Sequence, residues 1–67
     1  MFSKDLIKQG KSLVKKGLKA YVASDNSLYV LNQEQSIEDI LKHCEDNEIG
    51  LYEVETDKTL KDAPTSS

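Results

Sequence analysis

AYVASDNSLYVLNQ, residues 20–33, sets the frame for the rest of the chain. Aromatic and β-branched residues flank a Ser24-Asp25-Asn26-Ser27 cluster, and that pattern predicts a β-hairpin. Tyr21 and Val22 begin one arm, and Leu28 to Leu31 form the other. Asp25 and Asn26 tolerate the left-handed backbone that such a tight turn needs.

Upstream lies KDLIKQGKSLVKKGLK, residues 4–19. At 100° per residue Lys4, Lys8, Lys11, Lys15 and Lys19 gather on one side of a helical wheel. Phe2, Leu6, Ile7, Leu13, Val14 and Leu18 gather on the other, so an amphipathic helix is predicted from about Lys4 to Lys19, with Ser3 as its N-cap. Gly10 and Gly17 fall in the middle of the apolar side. Each weakens a helix by roughly 1 kcal/mol relative to alanine, which implies a close approach of something to the backbone there. Three readings follow. The notch lies on the protein's own sheet, it receives a second chain, or Gly17 ends the helix early and Leu18 starts the next segment.

Downstream, Ser36-Ile37-Glu38-Asp39 approximates a capping box. Ile37, Ile40, Leu41 and Cys44 then recur at helical spacing, and Asn47 can close this second helix. Ile49 to Thr56 reads as a strand with Tyr52, Val54 and Thr56 on one face and Leu51, Glu53 and Glu55 on the other. DKTLKDAPTSS, residues 57–67, has no periodicity and reads as a disordered tail. The expected fold is a single α+β domain over residues 1–56, in the order helix, hairpin, helix, strand (αββαβ). Both helices would cover one face of a three-stranded sheet, leaving the face with Glu53 and Glu55 to water or a partner. If the strands flanking the second helix are parallel, their crossover is right-handed.

Function is constrained mainly by exclusion. A chain of 67 residues buries only about 60% of its unfolded surface, so a catalytic pocket would compete with the core for the same apolar side chains. His43 and Cys44 are adjacent, and side chains about 100° apart on a helix diverge, which disfavours a nucleophile–base pair. Cys44 belongs to the apolar stripe. The same two residues with scattered carboxylates have no zinc-ligand spacing, and the glycines at 10, 17 and 50 form no phosphate loop. No catalytic residue, metal or cofactor is assigned, and the expectation is a protein that is not an enzyme. One cysteine excludes an intramolecular disulfide. With no long apolar run, a membrane location is not expected and the cytoplasm is.

Charge is divided along the chain. Residues 1–20 carry six lysines and one aspartate, a net of +5, and residues 21–67 carry three lysines and eleven carboxylates, a net of −8. There is no arginine, so bidentate reading of guanine or phosphate is missing. The leading expectation is a small regulatory protein that binds another protein. Its candidate contacts are the notch at Gly10 and Gly17 and the acidic residues Glu45, Asp46, Glu48, Glu53 and Glu55, which could engage a basic surface as nucleic-acid mimics do. The alternative is a nucleic-acid-associated regulator using Lys4, Lys8, Lys11, Lys15 and Lys19. A homodimer is also compatible with so small a core and an unpaired strand edge.

Overall fold

The computed structural model describes residues 2–62. Its centre is the hairpin. Lys19–Ala23 forms β1 and Leu28–Leu31 forms β2, paired antiparallel from Lys19 opposite Leu31 to Val22 opposite Leu28. The turn closes through the Ala23 amide on the Ser27 carbonyl at 2.8 Å and the Ser27 amide on the Asp25 carboxylate at 3.1 Å. Asn26 takes the left-handed conformation at φ 66°.

The β1 strand is buried on both sides. Ala20 and Val22 pack with Val54, with Phe2, and with Leu6, Ile7, Leu13 and Val14 of the first helix. Tyr21 and Ala23 pack with Leu31 and Leu51, with Ile37, and with Ile40, Leu41 and Cys44 of the second. Successive strand residues point to opposite faces, so the two helices lie on opposite faces of the sheet. This corrects the expectation that both cover one face. The reason is legible in KAYVA itself, where four consecutive apolar residues lack the alternation of a strand with one wet face. The face carrying Leu51 and Glu53, expected to be open, is covered by the second helix, and Leu51 is 0% exposed.

The first helix, α1, spans Lys4–Lys15 and begins at the N-cap Ser3, whose hydroxyl accepts from the Leu6 amide. It ends four residues earlier than expected because Gly17 turns the chain at φ 90°. The Leu18 amide returns to the Leu13 carbonyl at 3.2 Å and the Gly17 amide to the Val14 carbonyl at 3.0 Å. This is the Schellman arrangement, which needs a left-handed residue just past the cap. Lys19 therefore belongs to β1, apart from the other four lysines of the row.

Gly10 has a different role. It is buried, and a methyl group on it would stand 2.9 Å from Val54 Cγ2 and 3.2 Å from Ala20 Cβ. The notch is filled by the protein's own sheet. The second helix, α2, spans Glu38–Asp46, with the Ser36 hydroxyl accepting from the Glu38 amide at 3.1 Å. Its C-terminus repeats the Schellman pattern, with the Ile49 amide on the Cys44 carbonyl at 2.8 Å. Here Glu48 holds the left-handed position, at φ 57°.

β3 is shorter than expected, covering Leu51–Glu53, and pairs antiparallel with β1. Val54 continues the ladder through its amide on the Ala20 carbonyl at 3.1 Å. The chain then turns over residues 54–57, with Asp57 left-handed at φ 58°, and returns as β4, Lys58–Lys61. Four residues expected in a disordered tail thus form an edge strand, because Thr59 can pair with Tyr52 and Lys58 with Glu53 once the turn is made. Residues 63–67 of that expected tail lie outside the described residues. Among the described residues the sheet has four strands, not three, in the order β2-β1-β3-β4, and the element order is αββαββ. β2 and β3 are parallel to each other but have β1 between them, so α2 is a crossover over one intervening strand.

Two substitutions test this packing. Gly10→Ala gains helix propensity yet crowds Val54, so a net destabilisation of about 1–2 kcal/mol is expected in urea unfolding. In a Val54→Ala background the crowding is gone, and Gly10→Ala should become neutral or stabilising. Additive effects would show that the two residues do not meet. Glu48→Gly relieves a left-handed non-glycine residue and should raise stability by about 0.5–1 kcal/mol, read as a higher unfolding midpoint.

Candidate interaction surfaces

Because the helices flank the sheet, the divided charge of the sequence becomes divided space. α1 turns its apolar side inward, so Lys4, Lys8, Lys11 and Lys15 line its outer side and all four are exposed. Lys19, fifth in the expected row, is half-buried in β1 and donates to the Gln35 carbonyl at 3.4 Å. It is held by the 32–35 turn, which is itself closed by the Gln35 side chain on the Asn32 amide and by the Asn32 side chain on the amides of Glu34 and Gln35.

On the opposite face α2 presents Glu38, Asp39, Glu45 and Asp46, all exposed, with Glu48 just beyond its end. α1 holds four lysines and one aspartate, and α2 holds four carboxylates and one lysine. Layer spacings of about 10 Å place the two helix axes roughly 20 Å apart. That exceeds the Debye length of about 8 Å at physiological ionic strength, so neither face neutralises the other.

The expected acidic set is not one surface. Glu45, Asp46 and Glu48 stay together at the C-terminal end of α2. Glu53 lies on the α2 side of β3, paired opposite Tyr21, and its carboxylate accepts from the Thr56 hydroxyl. Glu55 lies in the turn before β4 and faces α1. There an open cleft of about 330 Å³ is lined by Lys11, Val14 and Lys15 from the helix and by Val54, Glu55, Thr56 and Asp57 from the turn. The cleft had no sequence signature, since its two walls are about forty residues apart in the chain and are brought together by packing beside β1. The Tyr52 hydroxyl donates to Asp57 beside it, and Phe2 packs against Tyr52 with ring centroids 5.4 Å apart.

Of the two glycines considered for partner contact, Gly10 is covered by Val54 and Ala20, and Gly17 is exposed at the helix end. The Gly17 carbonyl accepts from the Gln33 side chain at 2.7 Å. His43 is exposed, with Asn47 packed against its ring nitrogen and donating to its carbonyl at 2.8 Å. Cys44 is 0% exposed. Burial pushes its thiol upward, away from the thiolate a nucleophile needs, and the Asp25 charge adds to this while Lys61 partly opposes it. Burial also raises Tyr21, with Glu53 beside it, and Tyr29. Among the described residues no three His, Cys, Asp or Glu side chains converge as metal ligands would, and no helix is long and apolar enough to cross a membrane.

Comparison with protein-family models, with characterised proteins and with solved structures yielded no match to this chain.

The three raised groups have a common sign. Each is kept neutral by the fold, so its contribution is complete below the unfolded value and is lost as pH rises through the folded one. Stability should therefore decline on the alkaline side, starting above pH ~8.5, where the unfolded thiol first ionises. Cys44→Ala should remove the early part of that decline in urea unfolding measured between pH 7 and pH 10. An unchanged alkaline profile in the variant would rule out the thiol as its source.

Proposed function

We propose that this chain is a non-enzymatic binding protein that docks a basic protein surface on the acidic end of α2, with Glu45, Asp46 and Glu48 as its central contacts. The observation that supports this reading is the segregation of charge across the sheet. The acidic cluster is exposed and has the thickness of the domain between it and the lysines of α1. Such a cluster attracts a cationic partner from a distance and favours its correct orientation before contact. Glu55 is not part of this contact set, since it faces α1, and the Gly10 notch is occupied from within the chain.

A second reading is supported by the other face. Lys4, Lys8, Lys11 and Lys15 run along the exposed side of α1, a row a phosphate backbone could follow, with Glu55 and Asp57 across the cleft from Lys11 and Lys15. Four phosphate contacts imply a salt slope of roughly −3.6, a loss of about a hundredfold between 50 and 200 mM salt.

One experiment separates the readings. Two variants are prepared, one with Glu45→Lys, Asp46→Lys and Glu48→Lys and one with Lys8→Glu, Lys11→Glu and Lys15→Glu. Each is compared with the wild type for capture of basic proteins from nuclease-treated extract and for binding of a labelled DNA duplex. The proposal expects protein capture to fall at least about tenfold in the first variant and to persist in the second. Capture that persists in the first variant sinks it. Duplex binding lost only in the second variant would move the assignment to the lysine face.

A further inference from the structure

We propose that this protein forms a two-fold dimer through the outer edge of β2, joining two four-stranded sheets into one of eight strands. The inference does not rest on the acidic-face reading, because β2 lies at the edge of the sheet and the acidic cluster lies on a face.

Among the described residues the strand order leaves β2 and β4 as the two edges. They are built differently. β4 reads KTLK, with a lysine at each end and a register break opposite Leu51 and Tyr52. Charged ends and a bulge are the devices that keep an edge from pairing with another chain. β2 reads LYVL, with no charge, no proline and an unbroken register against β1. Val30, the residue most open on this strand, is 40% exposed on the α1 side of the sheet.

The phase of the ladder identifies the groups this edge offers. The Ala23 amide bonds the Ser27 carbonyl, so Ala23/Ser27, Tyr21/Tyr29 and Lys19/Leu31 are the pairs that face each other across the hairpin. The alternating residues of β1 turn the other way, as the Val54 amide on the Ala20 carbonyl at 3.1 Å requires. By the same alternation the amide and carbonyl of Leu28 and of Val30 point outward from β2. Two donors and two acceptors on an uncharged edge form a self-complementary set.

Two-fold antiparallel pairing must keep each side chain on its own face, which limits the register. Centred on Tyr29, it sets Leu28 opposite the partner's Val30 and Val30 opposite the partner's Leu28, with four backbone hydrogen bonds. Leu28 and Val30 then cover one another on the α1 side, and the two Tyr29 rings meet on the α2 side. Centring on Val30 would instead recruit Asn32, whose amide is already held by the Gln35 side chain at 3.0 Å. The Tyr29-centred register is therefore preferred.

A second copy is the occupant that suits this edge, since an uncharged strand selects no charged peptide. In the dimer the two α1 helices lie on the same face, separated by three strand spacings, about 14 Å. Like charges become neighbours, so the dimer should hold or tighten as salt rises. Stacking of the basic face of one copy on the acidic face of another would respond in the opposite direction.

Sedimentation velocity over a concentration series, at 50 and 500 mM salt, tests this. A species of twice the 7.5 kDa chain mass is expected, no weaker at the higher salt. Val30→Lys should raise its dissociation constant at least about tenfold with the circular dichroism spectrum unchanged, and Leu60→Lys on the other edge should leave it as it was. A monomer at every concentration, dissociation by salt, or equal sensitivity to Leu60→Lys would overturn the proposal. Cross-linking supplies a readout independent of Val30→Lys. In a Cys44→Ala background, Tyr29→Cys should oxidise to a covalent dimer, because facing residues of a non-hydrogen-bonded pair lie about 4.5 Å apart at Cα. Val30→Cys, about 7–8 Å from its own copy on the diagonal, should not. Cross-linking of Val30→Cys alone would overturn the register.

Discussion

The two-sided burial of β1 is the constraint on which the rest of the molecule depends. Ala20, Tyr21, Val22 and Ala23 are each 3% exposed or less, and no single layer could cover all four. One helix must therefore lie on each face of the sheet. The residue sizes then set how close each helix comes. Ala20 and Val22 are small, and with Gly10 above them the backbone of α1 approaches the sheet closely. Tyr21 and Leu51 are large, and α2 rides on their side chains. Glycine in the middle of a helix is unfavourable by itself, by roughly 1 kcal/mol relative to alanine. It is retained here because a methyl group would collide with Val54.

The same arrangement turns a linear charge asymmetry into an opposed pair of surfaces. Had both helices lain on one face, the lysines of α1 and the carboxylates of α2 would have been lateral neighbours and would have screened each other. With the sheet between them they face opposite directions, each with its own field. Opposite charges still approach in the cleft between α1 and the turn at 54–57, where Lys11 and Lys15 line one side and Glu55 and Asp57 the other, and across the β3–β4 ladder, where Glu53 stands opposite Lys58. Its cysteine is fully buried, its histidine is exposed beside Asn47, and its tyrosine hydroxyls are raised in pKa where they are buried.

The elements that could be read from residues were those with local causes. The Ser24–Ser27 turn follows from side chains that bond their own backbone, and α1 and α2 follow from apolar spacing with Ser3 and Ser36 at their starts. β4 was not legible because a four-residue strand with one leucine has no pattern of its own. It exists because Asp57 completes a turn and β3 offers an open edge. The end of α1 stood between readings, since Gly17 suits both a close approach and a cap. The bonds from Leu18 and Gly17 back to Leu13 and Val14 decide for the cap. The acidic candidates divided for a similar reason, as Glu53 and Glu55 are two residues apart but a turn begins between them.

Residue order alone specifies which segments are helix or hairpin, which side of each helix is apolar, and how unequally basic and acidic residues are shared along the chain. These depend on spacing and on contacts within a few residues. Long-range packing settles that the helices take opposite faces, that Gly10 is filled from within while Gly17 is a cap, and that β2 is left as an unguarded edge. Those outcomes depend on which distant segments share a core, and the packing of β1 from both sides determines that.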